Sequence, residues 1–381
     1  MKFIKNFLKK AYICFLKILP IKKNRIYFVS NFGERYSCNP KAFFEHLYKN
    51  HKDEFDFYYC LNDKNSNELP SDVKRHKYKS IKDLYYLYTS KYIINNFRFH
   101  KLFNKKKGQV YVQTWHGGPI PQKKVEKDAE DKLPQIYIEE AKQDSKNMDL
   151  LLTGSTMLCD IFKKGFWFDG EVTNFGTPRY DIFFKDNAEF KNNLRKKLNI
   201  DENSKIVLYA PTFRNSITPE DLILDNETLI AAFKKYYNSP ITLLYRFHPH
   251  QTEQVKNLTF EEDNIINVTS YPDSVDLEIL SDCLITDFSS CLSDFLVLNK
   301  PCFNLVKNIE SYLDNERSLY IDLKEIPYPV LKDEKSLEKY LLNEKNIEKN
   351  ISKKVESFKQ KIGLTEKGTA CKSLYEKLKK F

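Results

Sequence analysis

Short apolar runs alternate with amphipathic stretches along almost the whole chain. Ile26-Tyr27-Phe28-Val29-Ser30, Phe55 to Cys60, Tyr92-Ile93-Ile94-Asn95, Gln109 to Gln113 and Leu150 to Gly154 read as buried strands, with helical patterns such as Pro40 to Lys49 between them. A charged, Asn-rich segment follows from Lys185 to Ser204. The alternation then restarts with Ile206 to Tyr209, Ile241 to Arg246, Ile265 to Val268, Cys283 to Thr286 and Cys302 to Val306. Apolar strands alternating with helices imply parallel sheets covered on their faces. The pattern therefore predicts an α/β chain of two Rossmann-like domains, residues 24–185 and 186–361, with parallel sheets facing across a cleft. The tail after Leu331 is Lys/Glu-rich, and residues 362–381 are predicted to form a C-terminal helix.

Residues 1–23 follow a different pattern. Phe3, Ile4, Phe7, Leu8, Tyr12, Phe15, Leu16 and Leu19 recur at roughly helical spacing among Lys2, Lys5, Lys9, Lys10 and Lys17. The run is shorter than the ~20 apolar residues a bilayer span needs, and no small-residue cleavage site follows it. Two readings stand: a basic amphipathic helix lying on an anionic membrane surface, or a helix packed on the protein's own core.

At 381 residues the chain exceeds one comfortable core, consistent with two domains. Its 24 Tyr and 28 Phe exclude a disordered chain, and its ten Gly exclude collagen-like or linker-rich architecture. The net charge of +10 suits an acidic partner such as a phosphate ester or anionic lipid, or it reflects a Lys-rich solvated surface. Charge alone also permits nucleic acid. No recognition motif is present and the basic residues are spread out, so nucleic acid is not an expected partner. The eight cysteines show no Cys-x-x-Cys pair and several lie in apolar runs, which fits reduced thiols in a cytosolic compartment. There is no P-loop signature and no Asp-x-Asp pair, so no metal site is expected and metal is not expected to be essential.

Candidate chemistry gathers at predicted strand ends. In Gln113-Thr114-Trp115-His116-Gly117-Gly118-Pro119 a histidine falls where a strand gives way to a Gly-Gly turn. His116 there is a candidate general base, or a histidine satisfied by the core. Tyr209-Ala210-Pro211-Thr212-Phe213-Arg214 and Tyr245-Arg246-Phe247-His248-Pro249-His250 place cations past two further strands. Thr286-Asp287-Phe288-Ser289-Ser290 leads straight into a predicted helix, Cys291 to Leu298. Such a helix start holds a phosphate, or it is an ordinary Asp/Ser cap. Taken together, Arg214, Arg246, His248, Ser289 and Ser290 suit a diphosphate, and His116 suits attack upon it.

These motifs, in this order, resemble the CDP-glycerol glycerophosphotransferases that prime or extend teichoic acids and related polymers. The resemblance also covers Phe32-Gly33-Glu34-Arg35-Tyr36-Ser37-Cys38-Asn39-Pro40-Lys41, Gly176-Thr177-Pro178-Arg179-Tyr180-Asp181 and Asn299-Lys300-Pro301. It implies a GT-B-like fold and an EC 2.7.8-type transfer of a polyol phosphate from CDP-glycerol or CDP-ribitol, with release of CMP. The acceptor it implies is a lipid-linked or polymeric hydroxyl, in teichoic acid or capsule-type synthesis at the cytoplasmic face of the membrane. The CDP-polyol is a co-substrate, and no cofactor is implied. Mapped here, His116 looks like the base, and Arg246, His248, Ser289, Ser290 and Arg214 like the pyrophosphate clamp, with Gly117, Asp287 and Arg179 in support. The chain departs from the family where Gly118-Pro119-Ile120-Pro121 replaces Thr-Pro-Leu-Lys and where Asn215 replaces an Asp. A GT-B glycosyltransferase using a nucleotide sugar is the alternative, separated by whether CMP or a nucleoside diphosphate is released.

Overall fold

The computed structural model of the chain describes residues 2–62, 69–101, 103–120, 122–212, 218–307 and 318–381, with side chains from residue 10 onward. Arg214, Asn215 and Pro121 lie outside the described residues. The chain forms two compact units. The first comprises Met1–His116, Val125–Asp181 and Thr365–Phe381, the second Gly117–Lys124 and Ile182–Leu364.

In the first unit, β1 (Lys22–Val29), β2 (Asp56–Cys60), β3 (Lys74–His76), β4 (Ser90–Asn95), β5 (Val110–Gln113), β6 (Leu150–Leu152) and β7 (Glu171–Thr173) form one sheet in the order β3-β2-β1-β4-β5-β6-β7. Every pairing is parallel. Side chains alternate between faces with period two. Tyr27, Val29, Tyr111 and Leu151 enter one core, and Ile26, Phe28, Val112 and Leu150 enter the other. Burial on both faces is why these strands read as continuous apolar runs.

The second unit repeats the plan. Its strands are β8 (Lys205–Ala210), β9 (Ile241–Tyr245), β10 (Ile265–Asn267), β11 (Cys283–Thr286), β12 (Cys302–Leu305) and β13 (Val330–Leu331). They form an all-parallel sheet in the order β10-β9-β8-β11-β12-β13. In each sheet the strand order reverses at one place, between β1 and β4 and between β8 and β11. Ligands of open parallel sheets bind outside the strand carboxyl ends at such a reversal.

The chain passes from the first unit to the second after Asp181 and returns at Thr365. Of the expected terminal helix, Ala370–Leu378 is helical, and Leu374 and Leu378 are buried in a first-unit core. Asp181 ties this helix down, its carboxylate accepting from the N–H groups of Ala370 and Cys371 at 2.8 Å each. At the other terminus the helix Lys2–Ile18 docks Ile13 and Leu16 into the first unit, while Phe15 and Ile18 stay 55% and 83% exposed. No helix among the described residues is long and apolar enough to cross a membrane. All eight cysteines are free thiols; Cys14 is exposed, Cys291 half-buried and the others buried.

Candidate active site

His116 follows β5 on a loop held from several sides. Gln113 Oε1 accepts from Trp115 N at 3.0 Å, and Thr114 N donates to Asn95 O at 2.8 Å. Trp115 takes a left-handed backbone, φ +54°, and its ring stacks on that of His116 with centroids 4.7 Å apart. Phe166 meets the Trp115 ring edge-on at 4.8 Å. The His116 side chain is exposed, but one nitrogen is fixed: Nδ1 lies 2.6 Å from the carbonyl oxygen of Asn96. A carbonyl can only accept, so Nδ1 carries the proton and Nε2 is the basic nitrogen of the neutral ring.

Two further side chains hold the loop's backbone. Asn39 is fully buried; its Nδ2 donates to the carbonyls of Thr114 (3.2 Å) and Trp115 (3.1 Å), and its Oδ1 accepts from Arg179 N (3.0 Å). Arg179, also buried, donates from Nη1 to His116 O at 3.2 Å and from Nη2 to Tyr180 Oη at 2.6 Å. Arg179 thus supports the loop through its backbone. Gly117 continues the turn. Asn39 falls in the Phe32–Lys41 motif, yet its loop-tying role and that of Asn96 have no distinctive signal in the sequence, because a buried asparagine that ties a loop looks like any other asparagine.

The second unit assembles its own set around the β8/β11 reversal. Asp287, just past β11, accepts from Thr212 N, just past β8, at 2.8 Å, so its carboxylate joins the two strand ends. Arg246 follows β9 and is nine-tenths buried; Nη1 donates to the carbonyls of Val268 (3.2 Å) and Tyr271 (2.9 Å). Burial lowers its pKa, opposed by Cys291, Asp273, Glu278 and Asp276 nearby. Its guanidinium therefore shapes the Val268–Tyr271 turn as well as supplying charge.

His248, half-buried, accepts at Nδ1 from the N–H of His250 at 3.2 Å. In the neutral ring this leaves the proton on Nε2, the reverse of His116. The helix Cys291–Leu298 starts shortly after β11 ends at Thr286. Ser289 Oγ accepts from Cys291 N at 3.4 Å, whereas the exposed Ser290 at the N-cap makes no capping hydrogen bond with its side chain. One serine therefore caps, and the other presents its hydroxyl at the positive end of the helix.

Two clusters of metal-ligating residue types occur among the described residues: Cys60 with His76 and Asp83, and Glu278 with Cys291 and Asp294. In the first, Asp83 already accepts from Tyr27 Oη (2.7 Å) and Lys79 N (2.6 Å). In the second, Glu278 lies close enough to oppose the lowering of the Arg246 pKa, so it balances a buried cation.

Residues 11–380 match the family described as CDP-Glycerol:Poly(glycerophosphate) glycerophosphotransferase. A teichoic acid poly(glycerol phosphate) polymerase of Bacillus spizizenii is 32% identical over 377 residues, covering 95% of this chain and 93% of that protein. A teichoic acid glycerol-phosphate transferase of Staphylococcus aureus is 29% identical over 398 residues, covering 98% and 100% respectively. Among solved structures, the wall teichoic acid polymerase TagF superposes with a TM-score of 0.85 at 25% identity, over 99% of this chain and 95% of that one. The fold is GT-B-like, as in that polymerase.

Proposed function

The chain belongs to the CDP-glycerol:poly(glycerophosphate) glycerophosphotransferase family, and on that premise we propose a division of labour for its two residue sets. His116 is the base that activates the acceptor hydroxyl. His248, Ser289, Ser290 and the N-terminus of the helix Cys291–Leu298 hold the donor's diphosphate, with Arg246 adding charge and Asp287 fixing the strand ends. The family selects glycerophosphate transfer over nucleotide-sugar glycosylation. Glycerol phosphate is the unit we assign, with ribitol phosphate the variant to compare.

The observation that supports this most is the fixed orientation of His116. Its Nδ1–H donates to Asn96 O at 2.6 Å, so the exposed ring has its basic nitrogen at Nε2. His248 has its proton on Nε2 instead, suiting donation to a phosphate oxygen. In the step, the acceptor oxygen bonds to the phosphorus bearing glycerol. The bond from that phosphorus to the bridging oxygen breaks, CMP departs with the electron pair, and the hydroxyl proton passes to His116 Nε2. Such transfers depend chiefly on positioning and charge neutralisation. The imidazole, the hydroxyls and the helix dipole supply these without a required metal.

We further assign the chain to the cytoplasmic membrane face, as a peripheral protein acting on a lipid-linked or polymeric acceptor. The exposed Phe15 and Ile18 beside the exposed Lys10 and Lys17 suit an anionic lipid surface. One assay tests the reading: CDP-glycerol or CDP-ribitol with a lipid-linked glycerol phosphate acceptor in anionic or zwitterionic vesicles, with and without EDTA. The expected result is CMP release, a phosphodiester product one glycerol phosphate heavier, retention on anionic vesicles and survival of turnover in EDTA. A glycoside product, or no CMP, would overturn the assignment.

A further inference from the structure

The segment Gly176-Thr177-Pro178-Arg179-Tyr180-Asp181 supports His116 through Arg179, and it is itself gripped by the distant C-terminal segment. Glu366 is buried, and its carboxylate accepts from Thr177 N at 3.0 and 3.1 Å and from Thr177 Oγ1 at 2.9 Å. Two glycines make room for it. A Cβ on Gly154 would lie 1.9 Å from Glu366 Oε1, and one on Gly176 would lie 2.6 Å from Oε2. Gly176 also has φ +101°, a conformation that side chains disfavour. Thr365 N donates to Gly154 O at 2.9 Å, closing the other side. This pocket is shaped for one carboxyl group. Asp181, five residues beyond Gly176, holds the following helix by its first N–H groups.

We propose that Glu366 is a positioning residue for the transfer step, fixing Thr177 and hence Arg179, whose Nη1–H holds the carbonyl of His116. The inference rests on His116 being the base. A change at Glu366 reaches the His116 backbone through Thr177, the short chain segment Thr177-Pro178-Arg179 and the Arg179 guanidinium, all within the first unit.

The charges that influence this carboxyl group are Asp181, which disfavours its ionisation, and Arg179, which favours it. Burial is the largest effect and pushes the Glu366 pKa up to about 8. Between the ordinary carboxylate range and about pH 8, the folded chain keeps a proton that the unfolded chain has lost. Glu366 therefore costs stability progressively as pH rises through that window.

The test uses the full chain with CDP-glycerol and the lipid-linked acceptor. In Glu366→Ala, turnover should fall about tenfold to a hundredfold, the scale of a misplaced catalytic group. CDP-glycerol affinity should stay within about threefold, since hydrogen bonds to the donor are unchanged. Glu366→Gln keeps the shape and an acceptor oxygen but cannot ionise. It should recover most turnover, because its amide oxygen still accepts from Thr177 N and Oγ1. If Glu366→Ala does not fold, Glu366→Asp decides: it keeps the carboxyl group but withdraws it from Thr177 by one methylene, so turnover should fall with CDP-glycerol affinity held. Wild-type turnover in folded Glu366→Ala or in Glu366→Asp would overturn the proposal while leaving the base assignment intact. Undiminished turnover in His116→Ala would instead remove the premise.

Discussion

The two histidines at strand ends differ by a single hydrogen bond each. His116 gives its Nδ1 proton to a carbonyl, and His248 receives an N–H at the same nitrogen. Identical side chains are thereby set as acceptor and donor at Nε2, which are the roles a deprotonation and a phosphate contact call for. Asn39 is what keeps the first of them in place. Removing its side chain takes a hydrogen bond from the carbonyls of Thr114 and Trp115 and from Arg179 N–H in a buried setting, where Trp115 O keeps a second donor, Thr114 Oγ1. Asn39→Ala should cost about 1–3 kcal/mol of stability in chemical denaturation and lower turnover more than donor affinity. Wild-type stability would show that the loop does not depend on it. The sequence left His116 as a candidate base or a core histidine, and the fold exposes its ring just past β5. The loop-tying roles of Asn39 and Asn96 were not legible, since their partners lie about 75 and 20 residues away.

At the scale of elements, the buried strands and the helix Cys291–Leu298 were legible because full burial writes itself as an apolar run. The three short strands β3, β7 and β13 were not. Lys74-Arg75-His76 carries no apolar residue, and Val330-Leu331 is only two residues long. Sheet edges need only backbone pairing on one side, so composition there is free. The sequence also pointed Arg246 at a phosphate, whereas its Nη1 is bonded to two carbonyls of the turn after β10. A strand-end cation and a loop-tying arginine look alike until the neighbouring strand is in place. The start of the helix Cys291–Leu298 therefore carries more of the donor-binding claim. Replacing Ser289 and Ser290 by Ala together should weaken CDP-glycerol binding about tenfold or more, the scale of lost hydrogen bonds to a charged group. Unchanged affinity in a titration would remove that helix start from the donor site.

Across the whole molecule, local patterning foretold two parallel α/β units but not how the chain's end returns to the first of them. Thr177 and Glu366 are 189 residues apart in sequence, and a lone glutamate in a Lys/Glu-rich tail reads as solvated surface. Only the fold shows it buried against two glycines. The cavity they leave and the arginine beyond it make the terminal segment part of the support for His116. The transfer depends on a base separate from the grip on the donor. The most direct measurement is His116→Ala, with turnover and CDP-glycerol affinity determined on the same preparation. Turnover should fall by about 10²–10⁴ with affinity unchanged. Turnover close to wild type, or a loss explained wholly by weaker donor binding, would contradict it.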